Sequence, residues 1–492
     1  MSETSEVVAS LPTRRETLMV AALLLAVTIA ARAQTFGNPL LGFDEQYYLL
    51  VGDRMLHGAV PFVDLFDRKP VGLFLLYAGA RLLGGEGTLE YQLLAAIFAL
   101  ATAFMAWRFA RRLAGGAGSL AAAMAYLLWL DFLGGEGGQA PIFYNLAMVA
   151  AAMVTAQLVD GRRVKVVGGA LAMLLVGLAM QVKYTALFEG IFFGCALLWA
   201  AWQQRWSVPR LSVLATVWIA AALAPTVLAL GVYAVRGEAH AFVFANFESM
   251  FGKLSDPPGT SVTGLLKILG ILAPLLACAL TAPASADPAV ARRRRFTLLW
   301  LLAALAGMLV MGSFPATHYG LPVLLPAAIA ASPRLDRLAR HRAVLSGVLL
   351  ALLIGGQFLL HAQQRAHGTA SDASRLAAAA DPGRAGCLYV YDGYPALYRL
   401  TNSCLPTRFA FPGHLDTANE ASAAGLGVDP TQEVGRIMAT RPATVVIANP
   451  PFERRNRATY AIVRAELARH YRQTFDLALG KGRHRLVFRR VE

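Results

Sequence analysis

The 492-residue chain is 57% hydrophobic and only 15% charged, with a formal net charge of +15. A soluble domain carries about 25% charge, so most of the chain is built for lipid and a wholly soluble enzyme is excluded. The excess Lys and Arg falls in short segments between apolar runs, as in cytoplasmic loops under the positive-inside rule, which argues against nucleic acid as a partner.

Residues 1–16 are polar and end in Arg14, Arg15 and Glu16, ahead of an apolar run from Leu18 to Ala31. Ala31-Arg32-Ala33 fits a signal-peptide cleavage site, but the many later spans favour an uncleaved first helix. Either reading puts the next loop outside. That loop, Gln34 to about Tyr91, is dense in charge: Asp44, Glu45, Asp64, Asp67, Arg68 and Lys69. Tyr47, Leu50, Val51 and Met55 share one helical face, which predicts an amphipathic helix over Asp44–Leu56 lying at the membrane surface. Val71–Leu83 is apolar but short of the roughly 20 residues a span needs, and predicts a partly embedded helix ending at Gly84-Gly85.

Gln92–Trp107 then runs inward to Arg108, Arg111 and Arg112. Leu120–Leu133 returns to an acidic Gly-rich loop holding Glu136, and Pro141–Val159 goes in to Arg162, Arg163 and Lys165. Val166–Trp202 is too long for one span, since at 1.5 Å per residue it would exceed the roughly 30 Å hydrocarbon core. Gln181-Val182-Lys183 is the natural break of a hairpin, with Lys183 at its outer end. Leu211–Val235 leads out to a second large outer loop, Arg236–Val262, with Phe242, Phe244, Phe247, Phe251, Glu248 and Lys253. Gly264–Thr281, Leu298–Ser313, Tyr319–Ala331 and Val344–Leu360 complete about eleven transmembrane helices, N-terminus in the cytoplasm. The runs Arg292–Arg295 and Arg334–Arg342 then fall on the cytoplasmic side.

The expected organisation is a transmembrane domain over 1–362, with a catalytic first outer loop at 34–90, and a periplasmic α/β domain over 363–492. Outer segments are expected at 34–90, 236–262 and 363–492. In the tail, Cys387–Tyr391, Thr444–Ala448 and Arg485–Phe488 read as strands, and Gln432–Thr440 and Arg457–His470 as helices. Cys387 and Cys404 lie in this tail and form a disulfide if it is outside the cytoplasm. Cys195 and Cys278 sit in apolar runs and are expected to be buried, unreactive thiols.

Transfer of a group onto a hydroxyl needs a base for its proton, and a phosphate leaving group needs cations or a metal. The first loop supplies carboxylates beside Arg68 and Lys69, and Lys183, Arg236, Lys253 and His318 are further cations in outer segments. Structural alternatives stand beside each: Asp44 and Glu45 as helix-capping carboxylates, Arg68 and Lys69 as head-group contacts, Lys183 as a snorkelling helix end, Glu136 as loop solvation, and the phenylalanines of the second loop as interfacial packing.

Asp44-Glu45, a Gly58-x-x-Pro61-Phe62 turn, Asp67-Arg68-Lys69-Pro70 and an apolar helix closing on Leu83-Gly84 resemble the glycosyltransferase 39 family, the protein mannosyltransferase and aminoarabinose transferase type. The resemblance is best over the first 110 residues and continues weakly to His318-Tyr319-Gly320-Leu321-Pro322. It implies a polytopic α-helical membrane protein of GT-C fold. It also implies a polyprenyl-phosphate sugar donor, a lipid, glycan or protein acceptor, and a bacterial inner-membrane location. By the same resemblance Asp44 is the base and Glu45 its neighbour. Asp67, Arg68, Lys69, Lys183, His318 and Tyr319 are the substrate-binding candidates. A divalent metal is a candidate cofactor, with Glu136 its only nearby ligand, because Gln139-Ala140-Pro141 stands where relatives carry an acidic residue. The competing readings are a transporter or flippase for a lipid-linked glycan, and a catalytically silent assembly factor.

Overall fold

The computed structural model describes residues 12–161, 164–312, 314–383 and 386–491. The expectations for the first eleven residues, for Arg162 and Arg163 and for the helix end at Ser313 concern residues outside this set. The chain forms two compact units. One comprises Met1–Gln34, Leu94–Val227 and Pro258–Leu359; the other comprises Thr35–Leu93, Leu228–Pro257 and Leu360–Glu492. The first outer loop from Thr35 and the second as far as Pro257 thus belong to the same unit as the C-terminal tail.

The first unit is a helical bundle. Each expected span overlaps a helix among the described residues, and the Val166–Trp202 hairpin breaks between Val166–Met180 and Ala186–Gln203, around Lys183. Among the described residues eight helices are long and apolar enough to cross a membrane, while Val166–Met180 is a shorter apolar helix. Pro288–Val310 and Leu321–Leu338 are the remaining two. Small residues let these helices approach closely, as membrane packing favours. A Cβ on Gly169 would lie 2.3 Å from the Trp218 ring, and one on Gly177 2.3 Å from the Ala222 carbonyl oxygen. Arg293 pairs with Asp160 and Arg111 with Glu16.

The second unit mixes three distant segments. Its sheet has the order β1-β2-β4-β3, from β1 (Leu388–Val390), β2 (Thr444–Asn449), β3 (Tyr471–Leu479) and β4 (Arg483–Arg490). β1 and β2 are parallel, with Tyr389 opposite Val445; the other pairs are antiparallel. Helices Pro430–Ala439 and Arg457–His470 start where Asp429 and Asn456 accept their first backbone N–H groups, as N-caps do. Cys387 and Cys404 are joined as a disulfide, with Cα atoms 5.1 Å apart. Backbone hydrogen bonds stitch the segments together: Phe66 N–H donates to the Arg408 carbonyl at 2.9 Å, and Leu254 N–H to that of Asn419 at 2.9 Å.

Three expectations are corrected here. Cys195 is exposed and Cys278 half-buried, because each faces outward from its helix rather than into the core. The helix at Phe43–Leu56 is not a surface-lying amphipathic helix, because every residue from Glu45 to Gly52 is buried. It packs on Val71–Arg81 at Gly52, where a Cβ would come 2.6 Å from the Ala78 nitrogen. Glu136 is not solvated, being only 9% exposed. Arg32, itself buried, donates to the Gly135 and Gly137 carbonyls at 2.9 and 2.5 Å and fixes the loop around it.

Candidate active site

The acidic pair sits at the start of helix Phe43–Leu56. Its N-cap is Gly42 at φ +73°, which has no side chain, so Asp44 and Glu45 lie in the first turn and neither is the N-cap. Glu45 is 1% exposed and folds back toward Gly42: a Cβ there would lie 2.8 Å from the Glu45 carboxyl carbon. Glycine is required twice over, for the backbone angle and for the space. Asp44 is half-buried.

The second half of the cluster is held by the turn before Pro70. Tyr47 Oη donates to the Phe66 carbonyl at 2.8 Å, which tethers the turn to the helix bearing Asp44. Asp67 is 8% exposed. Burial pushes its carboxyl above the usual range; Lys69 and the Arg68 N–H, 2.6 Å from Oδ1, oppose that rise, and Asp44 adds to it. Asp44, Asp67 and Lys69 therefore share one electrostatic neighbourhood. Lys69 Nζ lies 5.5 Å from the centre of the Tyr48 ring. Tyr48 Oη is buried with no hydrogen-bond partner among the described residues. A buried hydroxyl with no partner is costly unless a water or ligand meets it.

Arg68 is held by a network of its own. Its Nη1 and Nη2 meet the two Glu420 carboxylate oxygens at 2.7 and 2.8 Å, its Nε donates to Ser249 Oγ at 3.1 Å, and Nη2 also donates to the Gly425 carbonyl at 2.7 Å. The bidentate pair ties the first loop to the tail, and the Ser249 bond ties it to the second loop. Lys253 reaches the same carboxylate at 3.4 Å.

His414 and Glu453 extend the cluster and were not singled out in the sequence. His414 is buried among the rings of Tyr47, Phe66, Phe409 and Phe411. Burial, then Arg68, Lys253 and Lys69, hold its imidazole well below the usual range, so it is neutral. Glu453 interacts electrostatically with Lys253 and Asp44. Its only sequence signal is the charged run after Pro450-Pro451. In the second loop Phe242 packs on Phe62 and Tyr233, and Phe244 on Phe66, whereas Phe251 is 91% exposed. Arg236 is exposed.

In the bundle unit, Lys183 Nζ lies 5.2 Å from the centre of the Tyr319 ring, and His318 stacks on Tyr319 at 4.8 Å. Lys183 and Tyr319 line a cavity of about 10 Å³, with Glu189 on its wall. Glu189 is buried and accepts from Trp300 Nε1 at 2.5 Å. A lone glutamate in an apolar run is its sequence signal. Burial raises the Glu136 carboxyl, opposed by its own backbone N–H and by Arg32. Among the described residues no three His, Cys, Asp or Glu side chains converge as a metal site.

The fold is that of the GT-C glycosyltransferases, as the resemblance implied. The structure aligns with ArnT from Cupriavidus metallidurans bound to undecaprenyl phosphate at TM-score 0.62 and 14% identity, over 98% of this chain and 99% of that one. With apo ArnT from the same organism the values are 0.63 and 15%, over 96% and 97%. The arabinofuranosyltransferase AftD from Mycobacteria aligns at 0.51 and 14%, over 98% of this chain but 40% of its own. Residues 67–229 match the family model for dolichyl-phosphate-mannose-protein mannosyltransferase. No curated protein matches the sequence.

Proposed function

We propose that the chain is a multi-pass glycosyltransferase of the bacterial inner membrane. It moves a sugar from a polyprenyl-phosphate donor to a hydroxyl of a lipid, glycan or protein acceptor on the periplasmic face. The observation that carries this is the grouping of Asp44 and Lys69 around buried Asp67 beside the unpartnered Tyr48 hydroxyl. The GT-C fold and the match to a polyprenyl-sugar-dependent family support it.

Asp44 takes the acceptor hydroxyl proton as general base. The acceptor oxygen attacks the anomeric carbon, the bond from that carbon to the phosphate oxygen breaks, and the electron pair leaves with the polyprenyl phosphate. Glu45 supports the first turn that aims Asp44. Lys69 stabilises the departing phosphate charge, and buried Asp67 positions Lys69. Arg68 holds the loop in place through Glu420. In the bundle unit, Lys183, His318 and Tyr319 are proposed to contact a lipid phosphate.

The test is release of undecaprenyl phosphate from an undecaprenyl-phosphate sugar by the purified protein in the presence of a hydroxyl acceptor. Stoichiometric release with a glycosylated product supports the reading. Movement of the intact donor between leaflets without release points to a flippase, and neither result points to an assembly role.

A further inference from the structure

One face of the helix Arg457–His470 carries a shallow, open groove, walled only by its own long side chains, that the transfer chemistry does not use. Arg457, Tyr460, Ala461, Arg464, Ala465 and Ala468 line about 420 Å³ of space. These positions recur at helical spacing on one face. Both arginines are exposed, and neither has a hydrogen bond or ion pair with another described residue. Elsewhere on the helix Arg469 and His470 pair with Glu466. Seven residues apart, Arg457 and Arg464 stand about 10 Å apart along the axis. Residues 457–490 hold nine Lys or Arg against two Asp or Glu, an excess that favours an anion as the partner of this stretch.

Tyr460 stands between the two cations and is fixed in place. The Arg455 guanidinium lies 4.0 Å from its ring centre, and Tyr391 stacks on it at 6.2 Å. A fixed phenol offers a hydroxyl to polyols at low entropic cost. The rest of the floor is alanine. A face that enters a bilayer carries Trp, Phe or Leu, and this one has none. The groove also connects to the Asp44 cluster through one loop, residues 450–456. Phe452 packs on Phe43 at 5.0 Å, Glu453 interacts with Asp44, and Arg455 holds Tyr460 and pairs with Asp392 at 3.1 Å.

We propose that this groove binds the acceptor, and that the acceptor is an acidic oligosaccharide whose anionic groups bridge Arg457 and Arg464 while a sugar hydroxyl meets Tyr460. This rests on the glycosyltransferase reading above and names its acceptor class.

The test uses the full-length protein in phosphatidylcholine nanodiscs, with tetragalacturonic acid as probe and maltotetraose as the neutral control. The expected result is saturable binding of tetragalacturonic acid that weakens with added salt, and no binding of maltotetraose. The double variant Arg457→Gln with Arg464→Gln is expected to lose at least about tenfold in affinity, since each removes a charge-assisted contact. Tyr460→Phe, which keeps the ring, should lose less. Affinity of the double variant within twofold of the unaltered protein would overturn the proposal, as would equal binding of maltotetraose. Arginine-dependent capture of phosphatidylglycerol vesicles without tetragalacturonic acid binding would assign the face to a membrane surface and overturn it too. Binding is read without turnover, so Asp44→Asn should keep full affinity for the tetrasaccharide; failure here and failure of the transfer reading are separate results.

Discussion

Glu420 is the residue whose loss most directly tests how the site is assembled. Its carboxylate is 5% exposed and holds both Nη atoms of Arg68, which is 9% exposed. Glu420→Ala leaves a buried guanidinium without its counter-ion, which costs about 3–5 kcal/mol. Lys253 loses a partner as well, but at 38% exposure that adds little. For a unit of this size each kcal/mol lowers the midpoint by about 2–4 °C, so a fall of roughly 6–20 °C is expected. Scanning calorimetry of the purified protein in detergent measures it. Replacing both partners by methionine should recover much of the loss, because no charge is then stranded. A shift below about 2 °C with turnover abolished would refute this reasoning and make Arg68 a substrate ligand rather than a tie.

Three further outcomes are expected. Asp67 is pushed up by burial, so between the ordinary carboxylate value and its raised folded value the folded state binds more protons than the unfolded one. Its contribution therefore falls as pH rises through that window, and Asp67→Asn should flatten the profile and stabilise the unit at neutral pH, as calorimetry across pH 4–8 would check. Cys387 and Cys404 should resist alkylation until reduced, and replacing both with serine should cost about 3 kcal/mol for a loop of this size; alkylation of both without reductant would contradict the pairing. Ser255, exposed in the second loop, should be labelled from outside intact cells once changed to cysteine, and labelling only after permeabilisation would reverse the proposed topology.

Much of the fold was legible because the bilayer imposes long apolar runs; length requires a break in Val166–Trp202, and the polar Gln181 and Lys183 place it. In the tail, Arg457–His470 has the expected bounds, because Asn456 caps its start. β3 was not read, since Tyr471–Leu479 exposes most of its residues and lacks a continuous apolar face. The helix at Phe43–Leu56 misled because its Tyr and Leu positions do show a helical stripe, yet neighbours distant in sequence cover its other side. Glu420 and His414 were illegible for the same reason: their roles come from Arg68 and from four aromatic rings brought together only by folding. Asp44 and Lys69 stand out in the sequence as candidates because charge is scarce in such a chain.

The central claim rests on Asp44 as the base. Asn keeps its size and its suitability for a helix first turn, but cannot accept the acceptor's proton. The decisive measurement is sugar transfer from an undecaprenyl-phosphate sugar by reconstituted Asp44→Asn protein, beside calorimetry showing that it remains folded. A folded variant with transfer lowered by about 10²–10⁴-fold, the usual cost of losing a positioned base, is the predicted result. Near-normal turnover would remove Asp44 from the mechanism.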